Sequence, residues 1–329
     1  MLNKKSILIT GGTGSFGQKF ISEALKKYKK IKRLIIFSRD ELKQSEMEKK
    51  FPKKKYKFLR FFIGDVRDYQ RLYLATKNVD IIIHAAALKQ VPATEYNPFE
   101  CIKTNVLGAQ NIINAAIENK VSKVVALSTD KAVSPINLYG ASKLCADKLF
   151  TSAQNYIGPN KTIFSVARYG NVMNSRGSVI PLFLNQKKNN LFTVTDKNMT
   201  RFNITLKDAT ELVFWTLKNS LGGEILVPKI PSYRILDLAK AISADCKIKL
   251  IGIRPGEKIH EELITSSESV NTLDLGKYYV ILPTISRISI DNYKKRQSGK
   301  RLPKNFSYNS GTNSNFLSIT ELKKLLKKM

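Results

Sequence analysis

Ser128-Thr-Asp-Lys131 is followed eight residues later by Tyr139-Gly-Ala-Ser-Lys143. The Tyr-x-x-x-Lys spacing places a phenol and an ammonium on one face of a helix. A nearby ammonium favours the phenolate, so Tyr139 is a candidate to take a proton from a hydroxyl near neutral pH. Asp130 and Lys131 add a carboxyl group and an amine beside that pair. Together these groups exceed what the oxidation of an alcohol requires. The surplus points to an oxidation that serves a second reaction.

Such groups need a rigid frame. Short apolar runs at Ile7–Thr10, Leu34–Ser38, Phe58–Ile63, Ile81–His84, Val124–Ser128 and Phe164–Arg168 read as buried strands. Segments with helical periodicity lie between them, at Phe16–Tyr28, Arg71–Lys77, Cys101–Asn119 and Tyr139–Tyr156. This alternation predicts an α/β fold, a doubly wound parallel, Rossmann-like sheet. Residues 1–170 are expected to hold a dinucleotide and the catalytic groups. Residues 171–329 are less regular and are expected to form a smaller substrate-binding lobe interleaved with the first. They contain a turn-rich loop at Gly170–Gly177, a strand edge and helix over Phe202–Ser220, breaks at Pro228–Pro231 and Arg254–Gly256, and a closing amphipathic helix at Ile319–Leu326.

Thr10-Gly-Gly-Thr-Gly-Ser-Phe-Gly17 follows the first predicted strand and opens the first predicted helix. Gly11, Gly14 and Gly17 permit a tight turn and close approach of backbone to a pyrophosphate, and the helix N-terminus supplies N–H groups. Thr13, Ser15 and Phe16 complete the loop. After the second strand stand Ser38, Arg39 and Lys43, which suit a ribose 2′-phosphate and favour NADP; Asp40 is the residue there that argues the other way. Asp65 and Val66, after the third strand, could receive the adenine. Ala85 opens a run of small side chains that lets a cofactor approach the fourth strand's end. His84, just before it, reads as a structural residue.

The net charge is +30, with 56 Lys and Arg against 26 Asp and Glu. The excess is mostly lysine in short scattered runs, without any basic–aromatic or helix-turn-helix signature, so it reads as a solvated surface rather than a nucleic-acid site. A positive field would also attract an anionic substrate. No stretch approaches the ~20 apolar residues of a membrane span. Met1 to Lys5 lead straight into the first strand, without a signal-peptide core. Cys101, Cys145 and Cys246 have no metal-like spacing and read as free thiols, which with the rest suggests a cytoplasmic protein that holds no metal.

Further strings carry a resemblance. Ser38-Arg-Asp-Glu-Leu-Lys43, Gly64-Asp-Val-Arg-Asp68, His84-Ala-Ala-Ala-Leu-Lys89, Arg168-Tyr-Gly-Asn-Val172, Ser175-Arg-Gly-Ser-Val179, Met199-Thr-Arg201 and Arg254-Pro-Gly-Glu-Lys258 accompany the two motifs. Together they resemble the UDP-N-acetylglucosamine 4,6-dehydratases of the configuration-inverting type, within the extended short-chain dehydrogenase/reductase superfamily. Thr129-Asp-Lys131 is the sharpest string, because retaining dehydratases carry Thr-Asp-Glu there. The resemblance implies C4 oxidation of UDP-N-acetylglucosamine, elimination of water across C5 and C6, hydride return to C6 and inversion at C5, as the first step towards pseudaminic acid. It implies Tyr139, tuned by Lys143, at the C4 hydroxyl, Lys131 as the base at C5, and a protonated Asp130 as the acid at C6. Lys131 could act so only with a lowered pKa. Lys89, Asn171, Thr195, Arg201, Arg254 and Glu257 are implied as substrate ligands, the two arginines suiting a pyrophosphate. Lys89 and Val172 also fall to the cofactor. The resemblance further implies a homo-oligomer, a dimer or hexamer. A UDP-sugar 4-epimerase or a C5-retaining dehydratase on the same fold is the alternative.

Overall fold

A computed structural model of the chain describes residues 1–158, 161–173, 178–285 and 290–327. Residues 174–177 of the expected turn-rich loop lie outside the described residues.

The first half builds a three-layer unit. Strands β1 (Ser6–Thr10), β2 (Arg33–Ser38), β3 (Leu59–Ile63), β4 (Ile81–His84), β5 (Lys123–Thr129) and β6 (Ile163–Tyr169) match the apolar runs. Helices α1 (Ser15–Lys27), α2 (Glu41–Lys50) and α3 (Tyr69–Ala75) alternate with the first strands. Between β4 and β5 come α4 (Val91–Tyr96), α5 (Pro98–Ile102) and α6 (Gly108–Glu118), and α7 (Leu138–Ala153) leads from β5 to β6. Phe20, Ile21, Ala24 and Leu25 line the buried face of α1, at the spacing an amphipathic helix needs.

The second half returns to the same sheet. It contains β7 (Asn171–Val172), α8 (Val179–Gln186), β8 (Leu191–Val194), β9 (Thr200–Ile204), α9 (Leu206–Asn219), β10 (Ile225–Pro228), β11 (Ser232–Arg234), α10 (Ile235–Ile242) and β12 (Lys247–Leu250). Beyond these lie β13 (Glu262–Ile264), α11 (Ser266–Ser269), β14 (Thr272–Asp274), β15 (Tyr278–Ile281), α12 (Ile290–Gln297), β16 (Lys300–Arg301), β17 (Tyr308–Asn309) and α13 (Ile319–Leu326).

The main sheet has ten strands in the order β3-β2-β1-β4-β5-β6-β10-β15-β14-β16. Neighbours from β3 to β10 run parallel, and β15, β14 and β16 add antiparallel pairs. The order reverses between β1 and β4, and ligand crevices in such sheets open at the strand C-termini beside that reversal. The small sheets β7-β9-β11, β8-β12 and β13-β17 stand apart from it. A second apolar core, with Phe183, Phe192, Tyr233, Leu238 and Leu322, packs against β8 and β11, while Leu263, Ile264 and Tyr308 of β13-β17 join the main core.

Two local departures from the sequence pattern bear on the site. The predicted Cys101–Asn119 helix is interrupted by a π-helical stretch at Lys103–Leu107. Asn105 in that stretch is buried; its Oδ1 accepts from Leu88 N (2.8 Å), and its Nδ2 donates to Leu88 O and Ser142 Oγ, both at 2.9 Å. A widened turn inserts this amide between the segment after β4 and α7. Helix α2 has no counterpart among the expected segments.

Candidate active site

The glycine-rich turn expected to cradle a dinucleotide lies between β1 and β4. Gly11 has φ +62°, and a Cβ there would come within 2.9 Å of Ala86 N and 3.0 Å of the Ala85 carbonyl. Gly17 lies against Gly12 so closely that any side chain would collide with backbone. The N-cap of α1 is Gly14, with no side-chain cap, and Gly14 and Ser15 are exposed. First-turn N–H groups of that helix therefore face outward, which fits a pyrophosphate. Thr10 Oγ1 accepts from the backbone of Ala85 (3.1 Å) and Ala86 (3.2 Å) and lies 2.9 Å from His84 Nδ1. With two N–H donors on its oxygen, the Thr10 hydroxyl donates to Nδ1. Burial, with a smaller push from the Lys143 charge, lowers His84 to about 3, so it is a neutral strut, as expected.

At the adenosine end, the Arg39 guanidinium is half exposed and lies 3.7 Å from Asp65, which also binds Arg67. Lys43 is paired with Asp40. Ser38 is buried and accepts from Gln44 at 2.9 Å. Val66 is also buried, packed under Gly108. Of the residues expected around a ribose phosphate, Arg39 alone is both exposed and lightly held.

The expected catalytic groups gather at the C-terminal end of β5. Thr129 ends the strand, and a single 3-10 turn carries Asp130 and Lys131. Helix α7 starts at the Asn137 cap, whose side chain accepts from Gly140 N at 2.7 Å. Gly140 touches the Lys131 carbonyl, so α7 can lie against that turn only because the position lacks a side chain. This contact brings Tyr139 beside Thr129 and Asp130.

Lys131 Nζ is held by three oxygens: Asp130 Oδ1 at 3.0 Å, Glu261 Oε1 at 3.3 Å and Asn171 Oδ1 at 3.3 Å. Burial alone would favour the neutral amine, but the Asp130 and Glu261 charges outweigh it and hold Lys131 above the ordinary lysine range. The expected lowered pKa is therefore corrected: without substrate this side chain is an ammonium. Burial pushes Asp130 the other way, above the usual carboxylate range, with Lys131 opposing and Glu261 adding to the shift. That agrees with a role as acid. Its Oδ2 is buried and has no hydrogen-bond partner among the described residues.

Tyr139 is raised to about 12, chiefly by burial, with the Lys131 charge and a hydrogen bond to Thr129 pulling against it. Lys143 is not what tunes it here. The Lys143 amine is buried and donates to Leu127 O at 2.7 Å, and burial lowers its pKa.

The implied substrate residues separate into groups. Asn171 lies at the Lys131 amine. Lys89 is close enough to Lys131 for their charges to interact, and its amine is lowered first by burial and then by that neighbour. Arg201 departs from expectation. It is buried, its Nη1 donates to Thr200 O (2.7 Å) and Ile259 O (3.0 Å), and its Nε faces Glu261 at 3.7 Å. It supports the charge cluster and is poorly placed to clamp a phosphate. Arg254 is over half exposed, 3.9 Å from Glu257, and Thr195 donates to Met199 Sδ.

Residues 7–283 match the family described as polysaccharide biosynthesis protein. The chain belongs to this family. A relative from Campylobacter jejuni subsp. jejuni serotype O:2, named UDP-N-acetylglucosamine 4,6-dehydratase (inverting), is 49% identical over 332 residues, 99% of this chain and 98% of the relative. A Rickettsia bellii relative named UDP-glucose 4-epimerase is 46% identical over 339 residues, 99% and 96% of the two chains. The X-ray structure of Pen from Bacillus thuringiensis superposes with a TM-score of 0.89 at 41% identity, covering 100% of this chain and 98% of that one. The resemblance to the inverting dehydratases, and the Rossmann-like fold it implied, are both borne out.

In this polysaccharide-biosynthesis family member the motifs left several working residues unmarked. Glu261, three residues past the Arg254–Lys258 string, is the largest omission. Its signal was an acidic pair, Glu261-Glu262, in a Lys-rich chain. Lys258 donates to Val133 O at 2.6 Å and lends its charge to the same cluster. Arg168 was visible in a string, but its role was not. Fully buried, it donates to Leu263 O at 3.1 Å, to Glu268 at 3.0 and 3.1 Å, and to Asp147 on α7 at 3.4 Å. It ties the strand beside β5 to both the catalytic helix and the segment that carries Glu261.

Proposed function

We propose that the protein is an NADP-dependent UDP-N-acetylglucosamine 4,6-dehydratase that inverts C5 and yields a UDP-4-keto-6-deoxy-L-hexosamine. The Asp130–Lys131–Glu261 cluster beside Tyr139 carries this reading. Moving hydride at C4 needs a proton acceptor for one hydroxyl; removing water needs a base at C5 and an acid at C6 as well, and these are the additional groups.

The Gly11–Gly17 turn and the N-terminus of α1 would hold a nicotinamide dinucleotide, which would supply a hydride acceptor at C4 and a hydride donor at C6. Tyr139 receives the C4 hydroxyl proton. The 4-ketone acidifies C5–H, and Lys131, whose side chain is partly exposed, takes that proton after releasing one of its own to solvent. Asp130 gives its proton to the C6 hydroxyl, which leaves as water. Proton return to the opposite face of C5 inverts the centre. Lys89, Asn171, Thr195, Arg254 and Glu257 are the residues we assign to the UDP-sugar, within a substrate-holding half after residue 170. The reading also takes the protein to be a cytoplasmic homo-oligomer acting at the start of pseudaminic acid or related surface-glycan synthesis. Among the described residues no helix is long and apolar enough to cross a membrane, and no His, Cys, Asp and Glu group could hold a metal ion.

The decisive experiment is NMR and mass spectrometry of the protein with UDP-N-acetylglucosamine and NADP in D2O. Loss of one water, deuterium at C5 and L-configured couplings support the reading. Unchanged mass with a C4 epimer would instead favour the activity named for the Rickettsia relative. D-configured couplings would favour retention.

The choice of NADP rests on the exposed Arg39. Arg39→Ala is expected to raise the KM for NADP about 10-fold, the value of a single charge-assisted hydrogen bond, and to leave that for NAD unchanged. Equal effects on both would remove the 2′-phosphate contact from the reading.

A further inference from the structure

We propose that Glu261 is a positioning residue that sets the proton inventory of the catalytic pair: it serves as the standing counter-ion of Lys131, so that Asp130 can carry a proton to the departing hydroxyl. This inference rests on the dehydratase reading and adds a third group to its acid/base machinery.

The geometry is asymmetric. Asp130 and Glu261 flank the Lys131 amine at 3.0 and 3.3 Å and come from distant parts of the chain. An ammonium needs only one anion beside it. Glu261 has further cationic support, because Arg201 Nε lies 3.7 Å from the same oxygen and Lys258 adds its charge from the preceding turn. Asp130 has no second cation within salt-bridge distance among the described residues. Burial works against the Glu261 carboxylate, but Lys131, Arg201 and Lys258 together hold it below its usual range. Asp130 is shifted upward, and the Glu261 charge contributes to that shift. The proton therefore rests on Asp130 and the negative charge on Glu261.

The other groups facing Lys131 do not reverse this assignment. Tyr139 on α7 and Tyr233 on β11 are both raised to about 12 and are neutral. Lys89 after β4 and Arg201 on β9 are cations, whose effect on the Lys131 ammonium opposes that of the two carboxylates. Lys258, also cationic, donates to a backbone carbonyl. Glu261 is anchored by its backbone as well: Ser310 Oγ accepts from Glu261 N at 2.8 Å, and Ser310 N donates to Glu261 O at 2.8 Å. Its Oε2 is buried with no partner among the described residues.

Glu261→Gln keeps the shape and removes the charge. Losing an anion close to both groups should lower the pKa of Lys131 and of Asp130, moving both limbs of the pH–rate profile to more acidic pH by about 1–2 units. Glu261→Asp, which restores the charge, should bring the limbs back most of the way. A purely structural role would lower the rate at every pH without displacing the limbs. The second measurement is competitive acetylation of the protein with acetic anhydride across pH, with Lys131 labelling read by mass spectrometry. Its half-labelling pH should lie above that of the other lysines in the wild type and fall in Glu261→Gln. A well-folded Glu261→Gln whose profile and labelling coincide with wild type overturns the proposal. So does a wild-type Lys131 that labels at or below the pH of surface lysines, even if the variant does not fold. Wild-type protein that releases no water from UDP-N-acetylglucosamine would refute the dehydratase reading instead, and the labelling result would still stand as a test of the counter-ion.

Discussion

Lys131→Ala is expected to slow both water loss and C5 deuterium incorporation about 10²–10⁴-fold, the usual contribution of a positioned base. The amine has three oxygens around it at the turn after β5. Lys131→Arg sharpens the test. A guanidinium keeps the positive charge between Asp130 and Glu261 but cannot lose a proton in the working range. It should preserve the melting temperature and still fail to catalyse. Recovery of the arginine variant to within 10-fold of wild type would show that the position supplies only charge. The expected failure of both variants, with folding intact, assigns proton abstraction to the amine.

Arg168→Leu should be the most destabilising single change in the molecule. The side chain is 1% exposed and its charge is shared between Asp147, 2% exposed, and Glu268, 25% exposed. Its loss strands a buried carboxylate, at a cost of about 3–5 kcal/mol. That corresponds to a fall of about 4–7 °C in Tm for a chain of this size. Burial already raises Asp147, with Arg168 and Lys143 opposing. Without Arg168 it would be pushed further towards the neutral acid. Arg168→Leu combined with Asp147→Asn should therefore recover part of the loss, which calorimetry would measure. If the double variant melts below the single one, the clamp acts through packing rather than charge.

The central parallel strands were legible from their apolar runs, as strands covered on both faces must be, while the edge strand β3 carries an exposed Arg60. Five buried residues in a row at β1 leave little room for another reading. Helix α2 was not legible for the opposite reason. Its sequence Glu-Leu-Lys-Gln-Ser-Glu-Met-Glu-Lys-Lys has almost no apolar face, and only Gln44 and Met47 are buried. Its signals are the Asp40 cap and cation-rich last turn, weaker than periodicity. The active site was legible where chemistry is local. Thr129, Asp130, Lys131, Tyr139 and Lys143 sit on one strand end, one turn and one helix. What crosses the chain was not. Glu261 meets Lys131 only because β13 and the segment before it pack under the turn after β5. The pKa of Lys131 follows the adjacent Asp130 first and Glu261 second, so an expectation drawn from burial or a neighbouring cation had the wrong sign. Arg201 failed similarly: its string marked importance, but the carbonyls it binds belong to the fold.

The strand order has a consequence for how substrate preference can change in this family. β10, from the second half, lies directly beside β6, and β15, β14 and β16 extend the same sheet beyond it. The second half cannot be lifted out as a cassette, because its removal would bare β6 to open pairing. New sugar preferences must therefore arise by substitutions in place, around a scaffold that neither half can supply alone.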